Sequence, residues 1–185
     1  MESFWDLHFC FTSGFKIALK DRSIGYDGNM AKKYKFSITT KDNRIMDLLA
    51  RTDHKTSAQW ALDCVERVFF YFENSDCMDY HPKEALNVLK EWIQTGKFSM
   101  AAIRKAALDS HAAARKIDTD NETKSVARAC GQAVATAHVK THAIGAANYS
   151  AQAVFRANEN LDPEISVQKE RDWQYNRLLQ LLAEP

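Results

Sequence analysis

From about residue 40 onward, apolar side chains return every three or four positions, the spacing at which a helix turns one face toward a core. Thr40 or Asp42 can accept an amide hydrogen bond at the start of a helix running through Arg51. A second helix from about Lys55 sets Trp60, Cys64, Val68 and Phe72 at successive i+4 positions, a stripe that predicts burial. Pro82 suits a first helical turn, where its missing N–H costs nothing. Ala85, Leu86, Leu89, Trp92 and Ile93 follow on one side, and Gly96 stops the segment. Ser99 caps the next helix through Lys116, residues 118–121 form a polar turn, and a fifth helix runs through Ala137 or beyond. A sixth covers roughly His142 to Asn158. Pro163 opens the last, which ends near Ala183 with Trp173, Leu178 and Leu182 as its buried side.

Short turns between helices of similar length favour antiparallel neighbours, so the fold expected is all-α, a compact antiparallel bundle of about seven helices. The stretches "SMAAIRKAALDSHAAARK" and "SVARACGQAVATAHVKTH" resemble one another only loosely, too little for a helical-repeat solenoid to displace the bundle. Between Met100 and Phe155 the chain is dense in alanine, the strongest helix former and the smallest side chain that still buries apolar area. Helices of that composition can approach closely.

The first forty residues break the pattern. "DRSIGYDGN" holds two of the six glycines, and "KYKFSITT" alternates like a short strand or an extended arm. Met30 opens "MAKKYKFS" as a translation start would. Residues 1–39 therefore read as an irregular amino-terminal arm and residues 40–185 as a single helical domain.

Charge removes several function classes. Lys and Arg total 25 against 24 for Asp and Glu, a net of +1, which provides no global field to draw in nucleic acid or an anionic membrane. No apolar run approaches the roughly 20 residues needed to span a bilayer. The amino terminus does not read as a signal peptide, and Cys10, Cys64, Cys77 and Cys130 form no CxxC pair. Reduced thiols in a cytoplasmic protein are expected, with Cys64 and Cys130 on apolar helix faces.

Three constellations could carry chemistry. His138 and His142 stand four apart in "AHVKTHA", which on one helix would bring two imidazoles together as metal ligands, with His111 or Asp109 as a third. The Glu of an HExxH peptidase motif is missing, a helix break at Lys140 and Thr141 would part the two rings, and histidines filling gaps between alanine-lined helices are the simpler reading. Asp109, His111 and Arg115 form an acid, base and anion clamp only if three helix faces converge. Ion pairs such as Arg104 with Asp109 or Glu66 with Arg67 are more economical. The sequence has no GxSxG, no phosphate-cradling glycine loop and no cysteine in a nucleophile context, so neither catalysis nor a cofactor is expected. Third, acidic turns recur: Glu73, Asp76, Asp79 and Glu84, then Asp118, Asp120 and Glu122, then Glu159, Asp162 and Glu164. If gathered at one end of the bundle they would make a negative patch for a basic partner, although helix dipoles alone favour acids at helix starts.

The segments "WALDCVERVFFYFE", "DYHPKEALNVLKEWIQTGKFS", "AALDSHAAARK" and "ARACGQAVATAHVKTHAIGAANYSAQAV" resemble the Imm-5-like immunity proteins of bacterial polymorphic toxin systems, over roughly Gln59 to Ala157. The resemblance implies an all-helical, cytoplasmic, non-enzymatic protein that neutralises a cognate protein toxin by binding it. The family's pattern falls on Trp60, Cys64, Glu66, Arg67, Glu73, Asp79, Pro82, Trp92, His111, Arg115, Gly131, His138, His142 and Tyr149. Two positions depart from it: His81 stands where relatives tend to have Arg before the turn proline, and Gln132 where they tend to have His after the helix glycine. A histidine set that accommodates Gln132 fits an obligatory metal site poorly. The surface contacts expected for a toxin are Glu73, Asp76, Asp79, Tyr80 and His81. The alternatives are a metal-dependent enzyme on His111, His138 and His142, and a helical scaffold for another protein.

Overall fold

A computed structural model describes residues 35–183, which belong to one compact unit and contain eight helices and no strand. They are α1 (Asn43–Arg51), α2 (His54–Val68), α3 (Phe70–Glu73), α4 (His81–Thr95), α5 (Met100–Lys116), α6 (Glu122–Ala135), α7 (His142–Ala157) and α8 (Pro163–Ala183). The all-helical bundle expected from the periodicity is what forms. Cys10, Met30 and most of the amino-terminal arm lie outside the described residues.

Helix boundaries follow the caps. Asp42, Asp53, Ser99 and Asn121 each accept a backbone N–H in the first turn of α1, α2, α5 and α6. Gly96 closes α4 in the left-handed region, at φ 68°, which a residue with a Cβ rarely adopts. Between α6 and α7 the chain departs from expectation, because α6 stops at Ala135 instead of reaching Ala137. The Thr136 carbonyl, which a continuing helix would give to the Lys140 N–H, instead accepts from His54 Nε2 of α2 at 2.5 Å. The Lys140 ammonium reaches across to the Thr52 carbonyl. The start of α2 thus holds the turn open.

Successive helices α4 to α8 lie side by side, with α6 between α5 and α7, and α2 crosses α4, α6, α7 and α8. Antiparallel order shows in the contacts at their ends: Lys116, at the end of α5, bonds Asp79, just before α4, and Arg156, near the end of α7, bonds the Asn121 carbonyl before α6. The stripe predicted on α2 is buried at Trp60, Cys64 and Val68 and continues onto Phe72 of α3. α3 itself was not expected: Phe69 alone separates it from α2, and the run "FFYF" carries no capping signal. The buried positions of α6 and α7 include Ala127, Ala133, Ala143, Ala146, Ala147 and Ala151, which agrees with close approach through small side chains.

One expectation needs correction. Leu182 of α8 is 40% exposed and Trp173 only half-buried. The inward row is Val167, Glu170, Gln174 and Leu178, because α2 and α7 offer polar partners there. Of the two readings of the alternating segment, strand or arm, residues 35–40 take the arm, with Phe36 against Phe155 at 5.6 Å and the Ile38 carbonyl bonded to Asn148.

Candidate functional site

The antiparallel order brings the turns before α4, before α6 and after α7 to one end of the bundle. Lys116 ties the first to α5, Arg156 joins the second to the end of α7, and Asn158, in the third, bonds the Tyr71 side chain. The acidic residues of all three turns therefore share an end, which the charge pattern had left as a condition.

Their roles differ. Asp79 is largely buried and fully engaged: one carboxylate oxygen accepts the His81 backbone N–H at 3.1 Å and lies 2.5 Å from His81 Nδ1, and the other lies 2.9 Å from Lys116. The Lys116 ammonium, foremost, and the His81 bonds lower its pKa to about 2. Asp79 is thus a clamp that starts α4 and fastens it to α5. Glu73 pairs loosely with Lys83 at 3.4 Å, and Asp76 is exposed with no ion pair among the described residues. Tyr80 is 68% exposed and stacks on the His81 ring at 4.3 Å. Sequence reasoning passed over Met78, which is 93% exposed between Asp76 and Tyr80; its apolar character inside an acidic turn was the available signal.

The histidines form a second cluster of a different kind. His138 and His142 belong to the turn and to the start of α7, yet their ring centroids lie 5.3 Å apart, so the helix break does not part them. His142 Nδ1 meets Gln132 Oε1 at 2.8 Å, and burial, with some help from His138, lowers the His142 pKa. His138 Nδ1 is buried without a hydrogen-bond partner among the described residues. His111 lies flat on α6, where a Cβ at Gly131 would stand 2.8 Å from its ring. Burial first, then Arg128, Arg115 and His142, lower its pKa. Gln132 lies in the same way on Gly145, whose Cβ would be 2.6 Å from Oε1. Among the described residues no three of His, Cys, Asp and Glu are placed to share a metal ion.

The supposed acid–base–anion set does not assemble. Asp109 bonds Lys105 on its own helix at 2.5 Å, while His111 and Arg115 line a cleft with Arg128 and Tyr149. The ion pairs expected from sequence also have other partners: Glu66 meets Lys90 at 2.6 Å, and Arg67 meets Glu170 at 2.9 Å. Cys64, Cys77 and Cys130 are free thiols, and burial raises the pKa of Cys64 and Cys130, which makes both inert. No helix among the described residues is long and apolar enough to cross a membrane.

No curated protein and no solved structure matches the chain. A family model described as "Imm-5 like putative immunity protein" matches residues 47–181, from within α1 to the last turn of α8. With the helical core covered almost from end to end, the chain belongs to the Imm-5-like immunity protein family.

Proposed function

We propose that the protein neutralises a cognate bacterial toxin by binding it in the cytoplasm, without catalysing a reaction, and that the acidic end of the bundle meets the toxin. The family match across residues 47–181 is the observation that carries this reading. The acidic end supports it with a surface of suitable chemistry. Tyr80 and Met78 project as apolar anchors, and Glu73 and Asp76 stand beside them to select a basic counterpart. His81 backs Tyr80 through the ring stack, and Asp79 fixes the turn on α5. Of the five contacts expected from sequence, Asp79 therefore acts by positioning, and Tyr80 and Asp76 by touching.

Co-expression with the toxin domain encoded beside the gene, followed by co-purification, tests the reading. Tyr80→Ala is expected to weaken the complex by about 2 kcal/mol, the order of an interface hot spot, with Asp76→Lys acting in the same direction and the circular dichroism spectrum unchanged. A toxin bound equally well by both variants would move the surface elsewhere, and a toxin that never co-purifies would end the immunity reading.

A further inference from the structure

α5, α6 and α7 converge on a cleft of about 210 Å³ lined by His111, Arg115, Arg128 and Tyr149, none of which belongs to the surface assigned to a toxin. No carboxylate lines it. Arg156 and Arg177, half-buried like Arg128, each meet an aspartate, Asp120 and Asp63 respectively. Arg128 instead lies 5.9 Å from the centroid of the Tyr149 ring, and neither it nor Arg115 makes an ion pair among the described residues. Asp120, the carboxylate that senses Arg128, is already held by Lys124 at 3.0 Å and by Arg156. Two guanidiniums thus face one partly enclosed space that no carboxylate of the described residues lines, an arrangement that an anion in the space would relieve.

A second feature fixes what else the space presents. Glycine at position 131 lets the His111 ring lie against the α6 backbone, and any Cβ there would displace it. The imidazole is therefore seated at the cleft wall, where it can offer one N–H. The Tyr149 hydroxyl adds another donor, and the guanidinium forks match tetrahedral oxyanions through paired hydrogen bonds. Two formal positive charges suit a dianion better than a single carboxylate.

We propose that this cleft binds a phosphoryl group between Arg115 and Arg128, with His111 and Tyr149 completing the donor set. The group arrives as inorganic phosphate or as the phosphate of a mononucleotide, and the volume admits one such group.

The test follows the His111 ring protons by NMR while inorganic phosphate, adenosine monophosphate or, at matched ionic strength, chloride is added to the full chain. Phosphate is expected to shift the His111 resonances saturably and to raise the pKa of the ring, and chloride to do neither. Tighter binding of the monophosphate than of phosphate assigns the nucleotide as the source; equal binding assigns the free ion. Arg115→Gln and Arg128→Gln should each weaken phosphate by about tenfold, the order of one charge-assisted contact. Both variants should also raise the His111 pKa in the absence of phosphate, because each removes a neighbouring positive charge. That second readout confirms that the variants are folded. Identical responses to phosphate and chloride, an adventitious ion only, would overturn the proposal, and so would wild-type phosphate affinity in the double variant.

Discussion

Two interhelical seams of this bundle are built by opposite means. α6 and α7 meet through alanines, with Gly145 where the Gln132 side chain must lie flat on the α7 backbone. α2 and α8 meet through large and polar groups. Trp60 donates its indole N–H to the Gln174 carbonyl at 2.8 Å, and Gln174 donates to the Ala147 carbonyl and to Glu170, both at 3.0 Å. Glu170 in turn receives Arg67 at 2.9 Å. The first seam gains its stability from closeness and has no tolerance for added volume. The second depends on a few side chains that each do several things, so it is the more exposed to deletion.

Removing Trp60, wholly buried at the centre of the second seam, should have the largest effect. Trp60→Ala is expected to cost about 3–5 kcal/mol, read as a lower urea midpoint with an unchanged slope. In the first seam the damaging change is addition. Ala146→Leu at a fully buried position should cost about 1–3 kcal/mol, because the neighbouring backbone is too close to yield. If Ala146→Leu were neutral, the alanine seam would be loosely packed and the contrast between the two would fail.

The two seams were also unequally legible. Alanine density announced the first directly, and the caps Asp42, Ser99, Gly96, Pro82 and Pro163 gave most helix ends to within a residue or two. The second was misread because apolarity alone placed Trp173 and Leu182 inward. Glu170 and Gln174 are buried only because Arg67, Trp60 and the Ala147 carbonyl, far away in sequence, satisfy them. The same limit applied at the histidines. Four-residue spacing suggested that His138 and His142 would meet, and they do, but across a turn that His54 and Lys140 hold in place. Their closeness is a tertiary result, and the partnership of His142 with Gln132 had no local signature. At the acidic end the residue types were readable, but the assignment of Asp79 to a clamp depended on Lys116, 37 positions away.

Glu170 sharpens the contrast through pH. Burial, outweighing the Arg67 hydrogen bond, raises its pKa above the ordinary 4.5, so the folded protein holds this proton more tightly than the unfolded chain does. The stability tied to that preference is complete below pH 4.5 and is lost as pH rises through the elevated value. A series of urea melts should show this decline in the wild type, and Glu170→Gln, which keeps the shape without the charge, should abolish it. Glu170→Ala should cost about 1–3 kcal/mol by removing one of the two acceptors of the Gln174 amide and the partner of Arg67. A Glu170→Gln protein with the wild-type pH profile would show that the buried carboxylate is not what makes the second seam sensitive to pH.

Asp79 should respond with the opposite sign and the smallest amplitude. Its pKa falls from 3.8 to about 2, so its contribution is present above pH 3.8 and disappears as pH drops toward 2. Lys116 is largely exposed, so their ion pair adds little in water. What Asp79→Ala chiefly removes is the bond to the His81 N–H at the start of α4, a loss of about 1 kcal/mol. Asp79→Asn should recover part of that loss, since an amide oxygen can still accept from the His81 N–H, while removing the acid sensitivity. Measured against toxin binding, the pair separates two ways in which an acidic residue can matter at this end of the molecule. If Asp79 only positions the turn, Asp79→Asn keeps both the fold and the complex, whereas Asp76→Lys keeps the fold and loses the complex.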